Sequence, residues 1–279
     1  MTAAPLLPTI RIDQRPPSAE ARAFLERDRL LAAYALADLD PQSGDSARWW
    51  LARRDAEPVA CVLLVDTLPF RPCFATGESE GVAAILRDAL REPRLIVATP
   101  TESRLAVETV YRFERAEAMH RMAVDARTFR PRITHPLVRL GPDRLDDVID
   151  LYGQASSTYF TAARLARELY FGSYSGATLV SAAGTHVRSA RSGIAAVGNV
   201  LTRLGARGRG LATSCTAAVT EAALAEHRDV VLNVRQENAA AIAVYARLGY
   251  RVHAPFIEGP AARRAPWDRL GKILGRRDS

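Results

Sequence analysis

Lysine is almost absent from this 279-residue chain: Lys272 is the single lysine among 38 basic side chains. Positive charge therefore comes as arginine, whose planar fork pairs with phosphate and carboxylate oxygens. Cysteine is equally sparse. Cys61, Cys73 and Cys215 are scattered, with no CxxC pair and no metal-ligand spacing to the five histidines, which argues against a disulfide framework or a structural zinc. They read as small buried side chains in a reducing, cytoplasmic setting. No apolar run approaches the roughly 18 residues of a membrane span. The start of the chain also lacks the charged n-region and long h-region of a secretory signal. No membrane partner is expected. The net charge is +7, but it is spread along the chain without a basic helix or interleaved aromatics, which excludes a dedicated nucleic-acid surface.

Apolar residues make up 48% of the sequence, enough for a real core. The length is generous for one domain and comfortable for two. In the first part, helical patterns at 19–28 and 30–38 precede apolar strands at 49–53, 59–65 and 72–75. A helix at 80–90, a strand at 95–98, a helix at 101–111 and a strand at 116–126 follow. The proline-bearing stretch 129–136 marks a boundary. Beyond it come a strand at 137–140, a helix from Pro142 to Tyr152, and a helix at 162–170. Residues 178–183 and 185–188 read as a hairpin around Gly184. A strand at 195–201 leads to a helix at 212–226, a central strand at 230–234, a helix from Asn238 to Leu248 and a hairpin at 250–257. Strands mixed with helices in this way predict an α/β fold, a mixed central sheet flanked by helices in two tandem domains. The expected limits are 1–130 and 137–258, followed by a basic tail at 259–279 whose Trp267, Leu270, Ile273 and Leu274 suit a short amphipathic helix.

One hexapeptide carries most of the chemistry: Arg207-Gly208-Arg209-Gly210-Leu211-Ala212. It lies between the apolar strand and the alanine-rich helix. At such a junction the first helical N–H groups have no intrahelical acceptor, and the helix dipole adds partial positive charge. Glycines remove the Cβ atoms that would hold an anion away. Strand, glycine turn and helix together make a pyrophosphate cradle with arginines on its rim.

Together with Asn199-Val200-Leu201-Thr202 before it, the hexapeptide matches the R-x-x-G-x-G/A element of the GCN5-related N-acetyltransferases. About thirty residues later Asn233-Val234, Asn238, Ala241, Tyr245 and Leu248-Gly249-Tyr250 match that family's closing element. Residues 137–258 thus resemble this superfamily, and the first part resembles a degenerate domain of the same fold. The resemblance implies acetyl-CoA as the acyl carrier. Its pyrophosphate would be held by N–H groups of Gly208, Arg209, Gly210, Leu211, Ala212 and Thr213 beside Arg207, and its pantetheine arm by Val200, Leu201 and Thr202. It further implies an acceptor amine, on a small molecule or a peptide, that attacks the thioester directly. The first domain is expected to shape the substrate site or to form a homodimer. An acyl-CoA-binding module without catalysis is the alternative.

Tyr245 is the implied general acid for the departing thiolate, with Asn233 and Asn238 near the cofactor; Asn238, Ala241 and Tyr245 share one helix face. The general base is the gap in the pattern. An amine near neutral pH is mostly protonated and must lose a proton before attack. Where many family members carry a glutamate, three positions before Asn199, this chain has Ala196. His186, on the preceding strand, has a suitable intrinsic pKa, and Glu168 and Tyr170 are further candidates.

Overall fold

The computed structural model describes residues 9–40, 46–68 and 70–265. In the first part of the chain these form β1 (Ile10–Asp13), α1 (Ser18–Leu25), α2 (Ala33–Asp38), β2 (Ala47–Arg54), β3 (Glu57–Val65) and β4 (Pro72–Gly77). Next come α3 (Ser79–Ala84), β5 (Arg94–Pro100), α4 (Arg104–Glu108), β6 (Tyr111–Phe113) and β7 (Glu117–Asp125). The second part starts with β8 (Val138–Arg139), α5 (Leu145–Tyr152), α6 (Ala162–Arg167), β9 (Tyr170–Ser175), β10 (Thr178–Ser189) and β11 (Ile194–Thr202). It closes with α7 (Leu211–Leu224), β12 (Asp229–Arg235), α8 (Ala239–Arg247) and β13 (Arg251–Arg263). The mixed α/β architecture expected from the alternating patterns is present. Among the described residues no helix is long and apolar enough to cross a membrane.

The chain divides into two units, but not at a single point. One unit holds residues 1–27, 45–117 and 256–279; the other holds 28–44 and 118–255. The contiguous limits 1–130 and 137–258 are therefore revised. The physical reason is strand pairing at the two ends of the linker. In the first unit β1 to β4 pair antiparallel in sequence order, β4 runs parallel to β5, and β5 takes Phe256–Ala262 of β13 as its next neighbour. In the second unit β12 is bordered by β7, in register from Asp229↔Asp125 to Arg235↔Met119. Each sheet is thus completed by the last strand of the other half of the sequence. Residues 259–263 of the expected tail are consequently strand rather than tail, and the expected helix at 267–274 lies outside the described residues.

The first unit packs Val82, Ile85, Leu86 and Leu90 against Val62, Leu64, Val97 and Tyr111. Its β4–α3 junction has the same place in the element order as the hexapeptide turn of the second unit. It carries Glu78 and Glu80, which pair with Arg54, so this helix start presents carboxylates where an anion would have to sit.

In the second unit β8, β9, β10 and β11 are antiparallel neighbours, and α7 crosses over to bring β12 parallel to β11. Val230, Val231, Leu232 and Val234 of β12 are buried, as expected of a central strand covered on both faces. Three local readings change. The helix at 162–170 ends at Arg167, and Tyr170 opens β9. No hairpin forms around Gly184; β10 is one twelve-residue strand. The glycine is there because a Cβ would come 2.1 Å from the buried Tyr170 ring, a close approach rather than a turn. Likewise 250–257 is no hairpin, since β13 runs unbroken. All three cysteines are free and buried, and burial pushes the Cys61 thiol up to about 12.

Candidate functional site

Two features set the last residues of β11 apart from the rest of the strand. Its parallel pairing with β12 runs only from Ile194↔Asp229 to Val197↔Leu232, although both strands continue for several residues. From Gly198 to Thr202 the strand edge facing β12 has no ladder partner, so its main-chain groups are available to an extended ligand, as at an open sheet edge. At the same point Asn199 adopts a left-handed φ of 51° and the β10 ladder shifts register between Ala182 and Gly184. The Tyr152 hydroxyl donates to the Asn199 carbonyl, and the Asn199 carboxamide donates to the Tyr170 hydroxyl at 2.8 Å. This strain is held in place by buried aromatic groups, as is common at functional strands.

The glycine turn ends that strand. Gly208 and Gly210 have φ of 77° and 84°, conformations that any other residue adopts only with strain. Gly210 caps α7 without a side-chain acceptor. Among the described residues the backbone N–H groups from Gly208 to Thr213 have no hydrogen-bond acceptor; the first helical N–H to find one is Ser214, bonded to Gly210 O at 3.0 Å. Six consecutive donors at the start of a 14-residue helix are arranged as an anion would require. Nothing lies within 4 Å of a Cβ built at Gly208, so the cradle is open. Arg207 Nε donates to Thr202 O at 3.2 Å, tying the turn back to the strand end, and Arg209 is exposed.

A second wall of the cradle comes from the stretch read as a linker. His135 Nε2 lies 2.7 Å from Arg209 O, and Thr134 N donates to Ser214 Oγ at 3.1 Å. Neither contact has a periodic signature, and polar residues near a proline are the only local trace of this wall.

Residues 170–256 match the family model described as FR47-like protein. Among solved structures, the chain is similar to a putative GNAT-family acetyltransferase from Novosphingobium aromaticivorans, with 20% identity, TM-score 0.54, and 84% of this chain and 94% of that one covered. A GCN5-related N-acetyltransferase from Kribbella flavida aligns at 14% identity and TM-score 0.60 over 86% and 96%. A tandem GNAT protein from the clavulanic acid biosynthesis pathway aligns at 16% identity and TM-score 0.55 over 92% and 99%. No curated protein matches in sequence. The fold is that of the GCN5-related N-acetyltransferases. In each half a helix follows the turn and joins two parallel strands, α3 between β4 and β5 and α7 between β11 and β12.

Within the acetyltransferase fold the sequence-derived residues fall into three places. Gly208 to Thr213 line the cradle just described. Val200, Leu201 and Thr202 lie on the unpaired strand edge; Val200 packs toward the core cluster that holds Tyr245, Leu201 toward the one that holds Tyr170, and the Thr202 hydroxyl lies 2.8 Å from Ser181 Oγ. Asn233 sits on β12 just past the last β11 pair, and its buried Oδ1 has no hydrogen-bond partner. An unsatisfied buried acceptor costs about 1–3 kcal/mol, so this atom calls for a donor.

Tyr245 is buried against Tyr250, ring centres 6.1 Å apart. Its hydroxyl has no hydrogen-bond partner among the described residues, and burial pushes its pKa up to about 12. It is therefore a fully protonated phenol at neutral pH. Asn238 caps α8, its Oδ1 accepting from Ala241 N at 3.1 Å, and the side chain is exposed. It orients the helix that carries Tyr245.

On the other side of β11, Ala196 is fully buried and paired with Val231, so no acid occupies that position. Glu168 is already committed: its carboxylate accepts from Thr185 Oγ1 at 2.7 Å and from Arg167 Nε at 3.1 Å, with Arg188 Nε at 3.6 Å. Tyr170 is buried, and desolvation raises its pKa well above the ordinary value. His186 is partly exposed, with Nδ1 3.0 Å from the Tyr34 hydroxyl. Tyr34, on α2, belongs to the same unit as His186 but lies 152 residues away in sequence, and no sequence pattern links the two.

Proposed function

We propose that this protein transfers an acetyl or other small acyl group from a coenzyme A thioester to an amine. The observation that carries the reading is the run of six acceptor-free N–H groups at the glycine turn, continuous with an unpaired strand edge. Both fit the carrier: the N–H groups from Gly208 to Thr213 would hold its pyrophosphate, and main-chain groups of Val200 to Thr202 with Asn233 Oδ1 its pantetheine amides. When bound, acetyl-CoA supplies an acyl group activated as a thioester. The chain's own contribution is largely positional. Fixing the carrier along β11 and an amine beside it converts an encounter between two molecules into a reaction within one complex. Main-chain N–H groups on the open edge of β11 favour negative charge developing on the carbonyl oxygen. Tyr245, protonated and without another partner, donates a proton to the departing sulfur.

Isothermal titration with CoA and acetyl-CoA, followed by thiol-release assays with a panel of small amines and peptides, tests the proposal. Binding with turnover is expected. Absence of CoA binding refutes it. The buried Ala196 favours one second reading, an acyl-CoA-binding module without catalysis, which predicts binding but no thiol release with any amine.

A further inference from the structure

His186 is the residue at which β10 slips register, between Thr185 and Val187. Its ring lies on Gly198, where an added Cβ would come within 2.3 Å of both Cε1 and Nε2. Gly198 is the first residue of β11 beyond its pairing with β12. The imidazole is therefore stationed where the two strands part, close to the buried Ala196. Its Nδ1 is 3.0 Å from the Tyr34 hydroxyl, the two rings standing edge-on at 5.9 Å. Tyr34 is itself fixed from a second element, since the Arg121 guanidinium of β7 lies 4.9 Å from its ring centre.

On the basis of the acyl-transfer reading, we propose that His186 takes the proton from the acceptor amine and that Tyr34 is the positioning residue that fixes its tautomer. Nδ1–H donates to Tyr34 Oη, which leaves the lone pair on Nε2. An N–H bond of the acceptor ammonium breaks and Nε2–H forms; the positive charge passes to the imidazole, and the proton then leaves to solvent. The neutral amine is left as nucleophile. The other polar groups around the ring are Tyr159, its ring centre 6.3 Å away, Arg164, whose Nη1 donates to His186 O at 3.4 Å, and Asn199 and Glu168. Burial lowers the His186 pKa most; the side-chain hydrogen bond with Asn199 raises it, the Arg164 charge lowers it, and the Glu168 charge raises it, with a net downward shift. The ring is thus neutral at pH 7 and ready to accept a proton.

The test uses the full-length protein with 15N-labelled histidine, titrated by NMR from pH 5 to 9. Wild type should show the Nδ1–H tautomer with a pKa below the ordinary histidine value, and Tyr34→Phe should redistribute the tautomers. In parallel, thiol release from acetyl-CoA is followed with tyramine, mostly protonated at pH 7, and with hydroxylamine, mostly unprotonated. His186→Gln should slow the tyramine reaction by ~100-fold or more, the range of general-base catalysis, and the hydroxylamine reaction only a few-fold. Tyr34→Phe should lower kcat with tyramine and move its acid limb, with acetyl-CoA affinity unchanged. An Nε2–H tautomer in wild type, or equal losses with both nucleophiles, overturns the dyad. If neither nucleophile reacts, the tautomer decides. Failure of acetyl-CoA to bind would instead remove the acyl-transfer reading, while the tautomer still judges the Tyr34–His186 arrangement.

Discussion

Replacing Gly210 separates the two contributions that the turn makes to anion binding. Its φ of 84° costs any L-residue with a Cβ about 1–2 kcal/mol. The space itself is not limiting, because a Cβ would meet His135 Nε2 at 3.5 Å and Thr134 Oγ1 at 3.9 Å, ordinary contact distances. Gly210→Ala should therefore cost only the strain, divided between lower stability and weaker CoA binding, with at most a ~30-fold rise in Kd. Gly210→Glu adds a carboxylate beside the six N–H donors. A unit charge about 5 Å from a phosphate charge contributes roughly 1–3 kcal/mol of repulsion at effective dielectric constants between 80 and 20. Strain and repulsion together come to about 2–5 kcal/mol, a ~30-fold to several-thousand-fold loss of affinity. Gly193→Ala is the control. It has φ of 61°, a Cβ at ordinary contact from Arg228, and a place before the opposite end of β11; it should lower thermal stability without altering the Kd. Calorimetry with CoA at fixed ionic strength reads all three variants. Equal affinity for wild type and Gly210→Glu would refute the assignment of the cradle.

Three further outcomes follow from the geometry. Tyr245→Phe should lower kcat for thiol release by about tenfold or more while leaving the CoA Kd unchanged, because only the proton donor is removed; with a phenol pKa pushed up to about 12, Tyr245 should cause no alkaline fall in wild-type rate below about pH 10. Asn238→Ala should cost about 1 kcal/mol of stability through the lost cap, read by denaturant titration, and Asn238→Ser should restore most of it; rescue of stability without rescue of rate would assign the carboxamide a chemical role beyond capping. Gly184→Ala should destabilise by about 1–3 kcal/mol, since the Tyr170 ring stands 2.1 Å from the new Cβ and a packed core accommodates overfilling poorly; an unchanged melting temperature would show that the ring moves freely.

The cradle was legible in sequence because a strand, two glycines and a long alanine-rich helix have to occur in order, and each is a local signal. The closing element was legible for the same reason: Asn238 does cap α8, three residues before the Ala241 N–H it accepts from. What escaped was everything set by pairing over long distances. Gly184 looked like a turn because a sequence does not reveal that Tyr170, fourteen residues earlier, lies across that backbone. The stretch 129–136 looked like a linker because the contacts of Thr134 and His135 are with residues about 80 positions later. Tyr34 carries no pattern of its own, and its meeting with His186 depends on residues 28–44 joining the second unit. Ala196 was readable only as a missing carboxylate, and what stands near it in space was not.

The exchange of final strands also bears on synthesis and on ancestry. While the chain emerges N-terminus first, β5 has no neighbour on its outer edge until residues 256–262 appear, so the first-made half remains unfinished until those residues have been made. A gene fragment ending near residue 130 would leave that edge bare and carry β7 without β12. If the two halves descend from one duplicated ancestor, the strand trade bound the copies together. After it, neither could be deleted or shuffled to another protein by cutting between residues 129 and 136, because the half whose β4–α3 turn carries Glu78 and Glu80 holds the last strand of the other.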